Sequence, residues 1–135
     1  MLRATLQLIC DDVRLEADTR KPIIIGLYLD AIVAFALPIT IQPLTFFNAY
    51  EVDEVRSFHL VGQLRGPAGN VGPPVPLDLD IQQPGVVISI VKMSVQFETP
   101  GEYRFVMTEA RNEGMIEIVK SFNVILATQT GVQHT

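Results

Sequence analysis

The chain has 135 residues, of which 48% are hydrophobic and 19% charged, and a net charge of −5. That length supports one domain whose core needs no disulfide or metal staple, and the composition is too apolar for a disordered segment. Its Lys and Arg residues are scattered rather than gathered in a basic stripe, which speaks against nucleic acid and against electrostatic docking on anionic lipid.

Read in chain order, MLRATLQLICDD has no uninterrupted apolar stretch of signal-peptide length, and Leu6 to Cys10 reads as a first strand. Strict alternation groups Ala4, Leu6, Leu8 and Cys10 on one face, with Cys10 inward, and Thr5, Gln7 and Ile9 on the other. Cys10 is the only cysteine, so no intramolecular disulfide forms, and a reducing, cytoplasmic setting is expected. Residues Ile23 to Leu29 are apolar on both faces, the pattern of a central strand, with Gly26 at a bulge or a close backbone approach.

The uncharged run between Asp30 and Glu51 is long enough for a bilayer helix. However, Pro38 and Pro43 each remove a helix donor, and Ile39-Thr40-Ile41-Gln42 alternates with period two. Two strands are expected there, with the prolines at edges or breaks, and no membrane span. Phe58, Leu60 and Leu64 then point inward, Arg56 being the exception in that row, while Ser57, His59, Gln63 and Arg65 point out. The stretch GPAGNVGPP, residues 66–74, is too short for a collagen helix and lacks the spacing and the helix of a phosphate loop. It reads as a glycine-proline loop joining two strands.

Val75, Leu77, Leu79 and Ile81 alternate with Pro76, Asp78, Asp80 and Gln82. Val87, Val91, Met93, Val95 and Phe97 share the next inward face. Behind them the opposite face is apolar at Val86, Ile88 and Ile90 and polar from Lys92 onward. Tyr103, Phe105 and Met107, then Phe122, Val124 and Leu126, form the last inward rows, with Pro84-Gly85, Pro100-Gly101 and Asn112-Glu113-Gly114 as turns. The expected fold is all-β: a mainly antiparallel two-sheet sandwich of about seven to nine strands, immunoglobulin-like, formed by residues 1–128 with a C-terminal tail at 129–135.

The order of these features resembles an uncharacterised bacterial family of small, single-domain β-sandwich proteins. The resemblance is carried by the strand ending at Cys10-Asp11, by IIIGLYLD, by FHLVGQLRGPAGN and by VVISIVKMSVQFETPGEYRF. It implies the sandwich fold, with Tyr103 and Phe105 of the P-G-x-Y-x-F segment in the core, and it brings no assigned activity, catalytic residue or cofactor.

Reactive constellations are sparse. His59 lies on a polar strand face and His134 one residue from the end, and no serine stands in a G-x-S-x-G elbow. No catalytic, cofactor-binding or metal-ligating set is expected. Asp78 and Asp80, on one face of a strand about 7 Å apart, are the best candidates for a shared divalent cation or small ligand. Glu51, Asp53 and Glu54 read as a solvated connection. There is no Trp, and Tyr28 and Tyr50 are the aromatics left for exposed positions. The surplus of apolar strand faces, with Phe46, Phe47 and the run from Val86 to Ile90 foremost, points to a non-catalytic protein-interaction or structural module whose partner is itself or another protein. A homo-oligomer is the simplest form.

Overall fold

The computed structural model describes residues 2–110 and 116–127. The expected C-terminal tail and His134 lie outside the described residues. Among the described residues nine strands run in order: β1 (Leu2–Leu15), β2 (Pro22–Tyr28), β3 (Ala31–Ala34), β4 (Ile39–Val52), β5 (Ser57–Gly66), β6 (Gly69–Asp80), β7 (Gly85–Phe97), β8 (Gly101–Glu109) and β9 (Glu117–Leu126). They form a four-stranded sheet, β2-β1-β4-β7, and a five-stranded sheet, β3-β9-β8-β5-β6. Every pairing is antiparallel except β3 with β9. The all-β, mainly antiparallel two-sheet architecture is therefore as expected. Among the described residues no helix is long and apolar enough to cross a membrane, and the uncharged run before Glu51 supplies β3 and most of β4.

The inward rows of the two sheets meet in one core. Phe46 of the four-stranded sheet stacks on Phe105 of the five-stranded one, ring centroids 4.3 Å apart. Phe97 presents its edge to Tyr103 at 4.9 Å and to Phe122 at 6.0 Å. Such aromatic contacts stabilise by roughly 0.5–1.5 kcal/mol beyond the area they bury. Tyr103 also donates its hydroxyl to the carbonyl of Thr99 at 2.6 Å, pinning the turn that enters β8. Arg56 finds its place at the rim of this core. Its guanidinium lies 4.1 Å above the Phe58 ring and pairs with the buried carboxylate of Glu109, so a charge on an inward position is satisfied.

Four sequence-based expectations change. First, β1 carries a register shift between Ala4 and Leu6. The extra residue turns the alternation over: Ala4 packs on the main core, but beyond the shift Ile9 joins that core while Leu6, Leu8 and Cys10 face the other way. Cys10 is buried there in a separate small cluster with Val13 and Phe47, outside the space between the sheets.

Second, β2 is an edge strand rather than a central one, because it pairs with β1 alone. Its outward residues Ile23, Ile25 and Leu27 are exposed, so their apolarity is not explained by burial within the chain. Third, Pro43 sits inside β4, a central strand, at a register shift between Ile41 and Leu44 that spares the ladder a missing N–H. Fourth, GPAGNVGPP is mostly strand. Gly66 pairs with Gly69 across a two-residue turn, Pro67-Ala68, and Gly72-Pro73-Pro74 falls where β6 leaves register with β5. The Gln63 amide bridges that gap, donating to the carbonyls of Leu64 at 3.0 Å and Gly72 at 3.2 Å.

Gly26 fulfils the expectation of a close approach. Its φ is +66°, and a Cβ there would meet Asp11 Oδ2 at 2.2 Å. Asp11 leans over it to accept the Tyr28 hydroxyl at 2.6 Å. Burial first, and the bond to Asp11 second, push the Tyr28 phenol up from 10.0 to about 12. A phenol raised in the folded state stabilises the fold in full below its unfolded value. That contribution is lost as the pH climbs from 10.0 through about 12. Asp11→Asn is expected to lower the pH at which this tyrosine ionises, followed by ultraviolet absorbance. An unchanged titration would refute the role of the carboxylate.

Candidate interaction surface

The best sequence candidates for chemistry, Asp78 and Asp80, share the outward face of β6. They stand opposite His59 and Ser57 of β5. His59 Nδ1 lies 2.9 Å from Asp78 Oδ1, whereas Asp80 accepts from the Ser57 hydroxyl and the Gln82 amide, each at 2.9 Å. Each carboxylate is thus engaged by its own neighbours, and the pair forms an exposed polar ladder. Among the described residues no group of three or more His, Cys, Asp or Glu is placed to hold a metal ion. Ser89 is buried and lies 2.7 Å from the Tyr50 hydroxyl, so it belongs to the core. Tyr50 is itself fully buried and Tyr28 half-buried, and neither offers an exposed platform.

The outer face of the four-stranded sheet is different in kind. Strand register builds it as a grid. Leu6 stands beside Ala49, and Ala49 beside Ile88; Leu8 stands beside Phe47, and Phe47 beside Ile90. In the next row Leu27, Cys10, Thr45 and Lys92 follow one another across all four strands. Further along β2, Ile24 flanks Val13. Phe47 and Cys10 are buried by Leu8, Ile24 and Ile90 packing around them, and Asn48 rather than Phe47 turns toward the opposite sheet. Around this knot, Leu6 is 47% exposed, Leu27 45% and Ile88 37%, which makes one apolar band from edge to edge. Phe46, expected near an interface, belongs instead to the main core.

Charges fence the band at both ends. Arg3 and Glu51 pair across β1 and β4 at one end. At the other, Lys92 Nζ reaches over β4 to Asp12 Oδ1 at 2.7 Å, and Arg14 Nε lies 3.5 Å from Asp12 Oδ2. The Lys92 hydrogen bond holds the Asp12 carboxyl below its ordinary value. Burial pushes the Cys10 thiol up, and the thiol makes a weak hydrogen bond to the Asp12 carbonyl at 3.5 Å. A thiol so placed is a packing group, since reactivity needs the thiolate.

An apolar centre with a charged rim sets this face apart from the polar ladder of Asp78 and Asp80. Sequence reading recognised Val86, Ile88 and Ile90 as surplus apolar residues but missed Leu6, Leu8 and the β2 row. The exposed β2 run has the same pattern as a buried central strand, and only the strand order separates the two.

No curated protein matches the chain. Residues 5–109 match the family described as "Family of unknown function (DUF6941)", a span that holds the whole four-stranded sheet from Thr5 onward.

Proposed function

The chain belongs to the DUF6941 family, and from that premise we propose that it is a non-catalytic protein-interaction module that docks a protein partner on the outer face of its four-stranded sheet. The observation that carries this reading is the apolar band from Leu27 to Ile88, continuous over four strands and bounded by ion pairs. Four strands span roughly 20 Å, so the band is as wide as the sheet, and the largest apolar patch on a soluble protein is often its functional one. An immunoglobulin-like kinship is supported by the Tyr103 hydroxyl bonding back to the carbonyl of Thr99, the geometry of a tyrosine corner. Cation binding at Asp78 and Asp80 is the weaker reading, because both carboxylates already accept from cross-strand neighbours.

The test is a double substitution on the band, Leu6→Lys of β1 with Leu27→Lys of β2. Both side chains are exposed, so the melting temperature is expected to stay where it is. Proteins retained by the wild-type chain from lysate of its own source are expected to be lost. The same proteins retained by the variant, or none retained by either, would overturn the reading.

A further inference from the structure

The two sheets have four outer edges, and three of them are closed to further pairing. β3 is four residues long. β6 carries Pro73, Pro74 and Pro76, which cannot donate to a new ladder. β2 begins at Pro22 and is bent at Gly26 by its positive φ. β7 has none of these devices. It runs for thirteen residues without proline, Lys92 is its one charged residue, and among the described residues it pairs only with β4. Every second N–H and C=O of such an edge points away from the sheet, ready for another strand.

The sequence of that edge says which strand. Val87-Ile88-Ser89-Ile90-Val91 reads identically in both directions. Two antiparallel copies related by a two-fold axis at Ser89 would place Val87 of one opposite Val91 of the other, and Ile88 opposite Ile90. β-branched side chains then meet β-branched side chains on both faces. Lys92 falls opposite Val86 of the other copy, which keeps the two ammonium groups roughly 20 Å apart along the strands. An axis at Lys92 would set them directly opposite. The axis at Ser89 also uses the clear half of the edge. From Met93 to Gln96, β7 borders β6 across a cleft of about 310 Å³ lined by Val71, Pro73, Val75, Met93 and Val95.

We propose that β7 pairs antiparallel with β7 of a second copy about a two-fold axis at Ser89, joining two four-stranded sheets into one of eight strands. The proposal rests on the interaction reading above and deepens it by naming one partner and its register. At the seam, Ile88 and Ile90 of the two copies complete each other, so the apolar band runs unbroken across the dimer.

The register makes a charge test specific. Ile88→Lys with Ile90→Lys sets like charges opposite each other across the axis. Ile88→Lys with Ile90→Glu removes the same apolar groups but sets opposite charges there. Analytical ultracentrifugation over a concentration series is expected to show a dimer for the wild type. The Lys/Lys variant should bind itself about tenfold or more weaker, and the Lys/Glu variant should recover most of that loss. Circular dichroism melts of both variants check that they fold. A wild-type chain that stays monomeric overturns the pairing. So does a dimer that both variants weaken equally, or one broken by Leu6→Lys with Leu27→Lys but by neither β7 variant. That last result would leave face docking standing, whereas loss of dimer only in the Lys/Lys variant confirms the edge whatever the lysate experiment shows.

Discussion

Phe46→Ala is expected to lower the unfolding free energy by about 3–5 kcal/mol, the largest effect of any single truncation proposed for this protein. Phe46 is 1% exposed and stands where the two sheets meet, stacked on Phe105 and 6.2 Å from Phe122. Removing its ring strips the stacking partner from Phe105 and leaves a cavity walled by rigid strands, which relax only partly. Against a total stability of about 5–15 kcal/mol for a domain of this kind, the loss is about a fifth or more. Urea denaturation should show a lower midpoint with an unchanged slope. A loss below about 1 kcal/mol would mean that the ring is not part of the load the sheets share.

Gly62→Ala should destabilise through the opposite fault, overpacking, by about 1–3 kcal/mol. Gly62 has no unusual φ; what it provides is room. An added methyl would lie 2.5 Å from Cζ of Phe105. That ring cannot retreat, because Phe46 is stacked on it with centroids 4.3 Å apart. The same denaturation experiment reads the effect, and a second substitution identifies its cause. Phe105→Leu shortens the side chain at the point of collision, so the two changes together should cost less than the sum of the two alone. Strict additivity would show that Gly62 matters for some reason other than the ring above it.

Most inward rows from β5 onward were legible because they obey a clean period of two, although Leu126, expected inward with Phe122 and Val124, is exposed at the end of β9. Phe58-Leu60-Leu64 and Tyr103-Phe105-Met107 occupy the places that alternation gives them. β1 was not, because one extra residue near Thr5 reverses the faces of everything after it, and nothing in LRATLQLIC marks the bulge. Ile23 to Tyr28 misled for a different reason. A two-sided apolar strand is the signature of burial by other parts of the same chain, and of exposure awaiting another molecule. Position in the sheet decides between them, and strand order is a property of the whole fold. The candidate surface inherits both difficulties, since its rows come from β1 past the bulge and from β2 at the edge. Its β7 column was readable from Val86, Ile88 and Ile90 alone.

The strand order also sets a tempo. β4 finds its second neighbour only in β7, so that Val52 pairs with Gly85 while Ile39 pairs with Phe97 at the far end of the ladder. β5 waits for β8 in the same way, Leu60 pairing with Glu109. The hairpins β5–β6 and β8–β9 can zip locally, but neither sheet is complete until these distant segments have met. Chains dominated by such closures fold in milliseconds to seconds rather than microseconds. The slow events of this protein are therefore expected in its long-range pairings, among which β3 with β9 joins Ala31 to Asn123, and not in the hairpins.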